Sequence, residues 1–152
     1  MPAVRPPDEI PEDCNCAALR KAARRVTLLY DRALAPSGLG ANQYSILAEL
    51  EREQGPVTLG RLARAMVMDR SALGHNLRPL ERDRLVALKV AAHDRRSRAI
   101  TLTASGRRRL AEAKTYWRQA QGRVQQALGP QRALALRALL KQAAAADYSG
   151  RS

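Results

Sequence analysis

DRSALGHNLRPLERDRLVALKVAAHDRRSRAITLT, residues Asp69 to Thr103, changes its apolar period partway along. In its first part Leu73, Leu77 and Leu80 recur at helical spacing, and Asp69 stands where a carboxylate caps a helix N-terminus. With those leucines facing inward, Arg70, Ser71, Gly74, His75 and Arg78 turn outward. From Leu85 the period drops to two: Val86, Leu88 and Val90 alternate with Ala87 and Lys89, then Ile100 and Leu102 alternate with Thr101 and Thr103. Two short strands are expected. The segment between them, Ala91–Arg98, holds Asp94, Arg95, Arg96 and Arg98 and is too charged to bury, so it reads as a polar loop at the basic tip of a hairpin.

Upstream, Thr58 can cap a short helix carrying Leu59, Leu62, Ala63 and Met66 on one face, followed by a break at Val67 and Met68. Two helices joined by so short a turn form a helix-turn-helix. A longer helix runs from about Asn42 to Leu50 and closes at Gly55-Pro56, and another from Asn15 should stop at Ala35, ahead of Pro36 and Gly38. Downstream, Thr103 can cap a long helix with Leu110, Ala113, Trp117, Ala120, Val124 and Leu128 on one stripe. A last helix spans about Gln131 to Ala146. The expected organisation is a flexible arm at 1–13, which holds four prolines and four carboxylates, a winged helix-turn-helix DNA-binding domain at 41–103, and a helical dimerisation region at 14–35 and 104–148. The fold class is mainly α with a two-stranded β wing.

Composition agrees with that class. Aromatic residues make up 3% and Phe is absent, so the core must be built from Leu, Ala, Val, Ile and Met, which suits packed helices. Lys and Arg number 27 against 14 Asp and Glu, a net charge of +13. Clustered arginines on a basic chain point to a polyanionic partner; the bland alternative is a basic surface kept for solubility. No run of 18 apolar residues occurs and the N-terminus is Pro-rich and acidic, so neither a membrane span nor a secretory signal is expected, and the cytoplasm is the expected location.

The pattern Arg70-Ser71-Ala72-Leu73, Leu80-Glu81-Arg82, Leu85-Val86, Asp94-Arg95-Arg96, Leu102-Thr103 and Gly106 resembles the MarR family of transcriptional regulators over nearly the whole chain. The family's Asp-x-Arg wing signature matches Asp94 and Arg96. The resemblance implies that Arg96 enters a minor groove with Asp94 holding it, that a homodimer reads a pseudo-palindromic operator in double-stranded DNA, and that a small aromatic or phenolic effector releases it, repression being the expected mode. A carboxylate two residues from an arginine can also fix the guanidinium fork on physical grounds alone. The apolar stripes of the first and last two helices exceed what one protomer can cover, which independently suggests a second copy. Two departures stand out. Arg84 occupies a position where members commonly have Gly, and a left-handed non-Gly residue costs on the order of 1 kcal/mol; Pro79 inside the recognition helix should kink or tighten it.

Tyr30, Tyr44, Tyr116 and Trp117 are the candidate effector-pocket liners, with ordinary core packing as the alternative. Cys14 and Cys16 form a C-x-C at a helix start, a setting that favours thiolate. Redox sensing, soft-metal binding and inert thiols all remain open for them, although zinc prefers four ligands. No cofactor is expected. With only His75 and His93, and no metalloprotease, nucleophile-elbow or phosphate-loop motif, the chain offers no catalytic constellation. The remaining rival is a non-specific basic nucleic-acid binder.

Overall fold

The computed structural model describes residues 14–150; the arm expected at 1–13 lies outside the described residues. Six helices and three strands follow in the order α1 (Asn15–Leu34), α2 (Ala41–Glu53), β1 (Val57–Thr58), α3 (Leu59–Met66), α4 (Arg70–Arg82), β2 (Val86–Ala91), β3 (Asp94–Leu102), α5 (Ala104–Leu128) and α6 (Pro130–Ala145). Each expected cap is in place. Thr58 Oγ1 accepts from the Arg61 N–H at 3.2 Å, Asp69 Oδ1 from Ala72 at 2.7 Å, and Thr103 Oγ1 from Gly106 at 2.9 Å. A fourth cap comes from far away in sequence: Asp31, on α1, accepts from the Ala41 N–H at 2.7 Å and so fastens the start of α2. Between them a 3₁₀ turn at Ala35–Ser37 reverses the chain through Gly38, whose φ of +73° suits glycine.

The core is leucine-rich, as the absence of Phe requires. Leu34, Ile46, Leu47, Leu62, Leu73, Leu80, Ile100 and Leu110 are completely or almost completely shielded, which brings α1, α2, α3, α4, β3 and α5 onto one cluster. Leu77 is buried beside Leu73 and Leu80, so the inward face of α4 is the expected one.

Two expectations about the wing are corrected. Ala91–Arg98 is not a loop: β2 and β3 pair antiparallel as far as Val90 with Arg98 and Ala91 with Asp94, leaving only Ala92 and His93 to turn, with an irregularity between Val90 and Ala91. Charge excludes burial of side chains, not pairing of the backbone, and here the main chain is satisfied while the arginines stay in water. Nor does the sheet end with the two strands of the wing. Val57 and Thr58 pair with Ile100 and Ala99, giving the order β1-β3-β2. Two residues are too few to display a strand period.

The two departures resolve differently. α4 continues through Pro79 to Arg82, and the carbonyl of His75, an exposed residue, goes without the hydrogen bond that a proline nitrogen cannot donate. Arg84 does adopt the left-handed conformation, at φ +57°, as do Gln54 at +56° and Val67 at +50°. Its N–H reaches Glu81 O at 2.9 Å and the next N–H reaches Leu80 O at 2.8 Å, which holds it there. Arg84→Gly should therefore raise stability by about 0.5–1 kcal/mol, the relief of the Cβ exceeding the added chain entropy of glycine; a higher urea midpoint with unchanged slope is the expected readout, and a lower one would contradict the strain.

Candidate nucleic-acid interface

The side chains assigned to DNA are displayed on two elements of one lobe. On α4, Arg70, Ser71, His75 and Arg78 are exposed, on the side opposite Leu73, Leu77 and Leu80. Gly74 lies among them, and no atom stands within 4 Å of where a Cβ would be, so the protomer's own packing does not demand glycine there. On the wing, Asp94, Arg95, Arg96 and Arg98 are exposed along the first half of β3. Lys89, on the facing strand and paired with Ala99, is exposed as well. Its outward register in the Val86–Val90 alternation is the sequence signal that marks it as a further candidate.

One expected contact takes another form. Asp94 Oδ1 accepts the backbone N–H of Arg96 at 2.9 Å rather than gripping its guanidinium. The carboxylate thus shapes the main chain after the turn and leaves the arginine fork unengaged. Among the described residues the ion pairs are Arg52 with Glu49 and Glu53, Arg61 with Glu53, Arg82 with Asp83, and Lys114 with Glu51. Arg70, Arg78, Arg95, Arg96 and Arg98 take part in none, which keeps their charge available to phosphates. The Glu49 carboxyl, hydrogen-bonded by Arg52, is held below its ordinary range.

The aromatic candidates gather where α1 and α2 meet α5. Tyr44 is buried and stacks on Trp117, ring centroids 6.1 Å apart and planes 12° from parallel. Tyr30, half-buried, donates its hydroxyl to Gln121 Oε1. Burial pushes both tyrosine hydroxyls above their ordinary values, with Arg137 opposing at Tyr30, and Glu51 adding to and Arg118 opposing the shift at Tyr44. Tyr116 and Trp117 are partly covered against the same core. An open depression along α1, lined by Ala23, Arg24, Thr27, Leu28 and Asp31, contains none of these rings. Two further ties bind α5 to the 3₁₀ turn and to α2: Arg109 Nη1 to Ser37 O at 3.0 Å and Lys114 Nζ to Glu51 Oε2 at 2.8 Å.

Cys14 is the N-cap of α1, its Sγ accepting from the Ala17 N–H at 3.5 Å; Cys14 and Cys16 are both exposed and unbonded to each other. No group of three or more His, Cys, Asp or Glu placed to hold a metal occurs among the described residues. Likewise, none of the described helices is long and apolar enough to cross a membrane.

A capped recognition helix backed by leucines, a preceding short helix and an arginine-bearing hairpin define a winged helix-turn-helix regulator. A model described as the MarR family matches residues 37–97. The chain is 36% identical to the transcriptional regulator MosR of M. tuberculosis, crystallised with DNA; the match covers 88% of this chain and 99% of that one, with a TM-score of 0.71. BpsR of Bordetella bronchiseptica, whose DNA binding is regulated by 6-hydroxynicotinic acid, is 26% identical over 91% of this chain and 98% of its own, with a TM-score of 0.80. The transcriptional activatory protein BadR of Rhodopseudomonas palustris is 37% identical over 78 residues, 50% of this chain and 45% of that protein, so the match spans less than half of that relative. The chain belongs to the MarR family of DNA-binding transcriptional regulators.

Proposed function

We propose that this regulator acts as a homodimer on a pseudo-palindromic duplex, laying α4 of each protomer in a major groove and Arg96 of each wing in the flanking minor groove. The observation that carries the reading is the display, on α4 and β3 of one lobe, of five exposed arginines with no ion-pair partner among the described residues. The dimer is supported by apolar residues left uncovered on the other lobe. Leu19, Val26 and Leu28 of α1 and Leu134, Leu136, Leu139 and Leu140 of α6 are all exposed, Leu139 at 62% and Leu134 at 57%. So many large side chains exposed on two helices call for a second surface.

The expected result is a twofold species of the 16.7 kDa chain in sedimentation, binding its operator about a thousandfold or more tighter than random duplex. Its affinity should fall by about 10³–10⁵ between 50 and 200 mM salt for six to ten phosphate contacts. Equal affinity for both duplexes would favour the non-specific binder instead.

Release by an aromatic or phenolic effector completes the proposal, with repression as the mode. Tyr30, Tyr44, Tyr116 and Trp117 sit at the junction between the reading lobe and α5, where a ligand inserted between rings would alter the spacing of the two α4 helices. The regulation of BpsR by 6-hydroxynicotinic acid and the activatory role of BadR bracket the range of behaviour among relatives.

A thiol-switched variant of the same regulator draws on one specific observation, the exposure of both Cys14 and Cys16 at the start of α1. A hydroperoxide would oxidise one thiolate to a sulfenic acid, and the second thiol would displace water to form the disulfide. Peroxide should then weaken operator binding by the wild-type chain and not by the Cys14→Ser, Cys16→Ser chain. Equal behaviour of the two removes this reading and leaves the effector-released regulator standing.

A further inference from the structure

Among the described residues, no side-chain burial offsets the backbone conformation of Val67. At φ +50° it lies in the left-handed region that β-branched side chains rarely enter. The end of α3 keeps it there: its N–H reaches Ala63 O and Arg64 O, and the Met68 N–H reaches Ala63 O at 2.9 Å, with Met68 packed against the core. Glycine or asparagine would close the same turn with less strain. Burial of the isopropyl group, the usual compensation, is missing, because Val67 is 73% exposed. A second observation concerns place. Within residues 37–103 the large apolar side chains left exposed are Val67 and Val90, one in the turn that leads into α4 and the other on the wing.

We propose that Val67 is a base-reading residue whose isopropyl group packs on the 5-methyl of a thymine at the edge of each half-site. The proposal rests on α4 lying in the major groove. There, base edges offer hydrogen-bond donors, acceptors and a single kind of apolar group, the thymine methyl. Arg70, Ser71, His75 and Arg78 answer the polar groups. Val67, two residues ahead of the Asp69 cap, is the apolar side chain at the entry of the same helix. Packing the methyl on the isopropyl group removes both from water and rewards a valine that the isolated chain only strains to hold.

The test begins with a preferred duplex selected by the wild-type protein from a random pool. Its thymines are then replaced singly by uracil, which deletes the methyl and nothing else. Wild type should lose about three- to fivefold in affinity at one thymine per half-site, the effect of one buried methyl. Val67→Gly and Val67→Asn should bind the thymine duplex correspondingly more weakly, bind thymine and uracil duplexes equally, and melt at the same temperature as wild type or higher. A purely structural role for Val67 would not move thymine–uracil discrimination. The proposal is overturned if no thymine position separates wild type from the variants, or if the variants lose equally on every duplex, which would assign Val67 to the sugar-phosphate backbone. Should wild type select no sequence above random, α4 does not read bases, and both that reading and this one fall.

Discussion

Arg96→Ala should weaken operator binding by about 1–3 kcal/mol for each wing engaged, roughly 5-fold to 150-fold per half-site, while the melting temperature and the dimer stay as they were. The side chain is exposed and makes no ion pair among the described residues, so deleting it removes nothing that holds the protomer together. Its main chain is a different matter. The Arg96 N–H is bound by Asp94 Oδ1 at 2.9 Å, a contact the alanine variant keeps. That geometry separates two roles for Asp94. If the carboxylate worked by gripping the guanidinium, Asp94→Asn would weaken binding nearly as much as loss of the arginine. Because it works on the backbone, asparagine, which retains the accepting oxygen, should keep most of the affinity, and Asp94→Ala should not. Gel-shift or anisotropy titrations at one fixed salt concentration distinguish the cases. An Arg96→Ala chain that binds as tightly as wild type would remove the wing from the interface.

Gly106→Ala should destabilise the protein by about 2–4 kcal/mol, although alanine is the better helix former by about 1 kcal/mol. The magnitude is decided by space. A Cβ at Gly106 would stand 2.0 Å from Leu85 O, 2.7 Å from Leu102 Cδ1 and 3.0 Å from Leu85 C. Two of those three atoms are backbone, which cannot swing aside. The same carbonyl already accepts from the Thr103 N–H at 3.1 Å and from Thr103 Oγ1 at 3.0 Å, and the threonine in turn caps α5 through the Gly106 N–H. Moving the carbonyl away from a new methyl group would break this joint, where β2 begins and α5 starts. A fall of roughly 5–15 °C in melting temperature is expected for a chain of this size. A rise, as helix propensity alone would give, would show that the joint can open freely. Since the joint links the wing to a helix of the proposed dimer region, the folded variant at low temperature should also bind DNA less well.

The reading lobe was largely legible from the residues. Leucines at helical spacing, three side-chain caps and the change from helical to alternating period located α3, α4 and both long strands, because these signals are local and each is produced by residues within one turn or one pleat. What escaped were features made between distant segments. β1 is two residues long and exists only because β3 offers it an edge. Asp31 caps a helix ten residues further on. The charged tip became strand because backbone pairing, not side-chain polarity, decides whether a hairpin extends.

By itself, the order of residues determined a mainly helical chain with a basic hairpin after a leucine-backed helix, and its outward arginines, since periodicity and capping follow from local sterics and hydrogen bonding. Only the three-dimensional packing decided that Asp94 holds the Arg96 main chain instead of its fork, that Gly106 must lack a side chain, that Tyr44 lies on Trp117, and that Val67 is strained and yet left bare. Each of those depends on which atoms of distant segments come within a few ångströms, or on what fails to cover a group, and neither is written in any single stretch of chain.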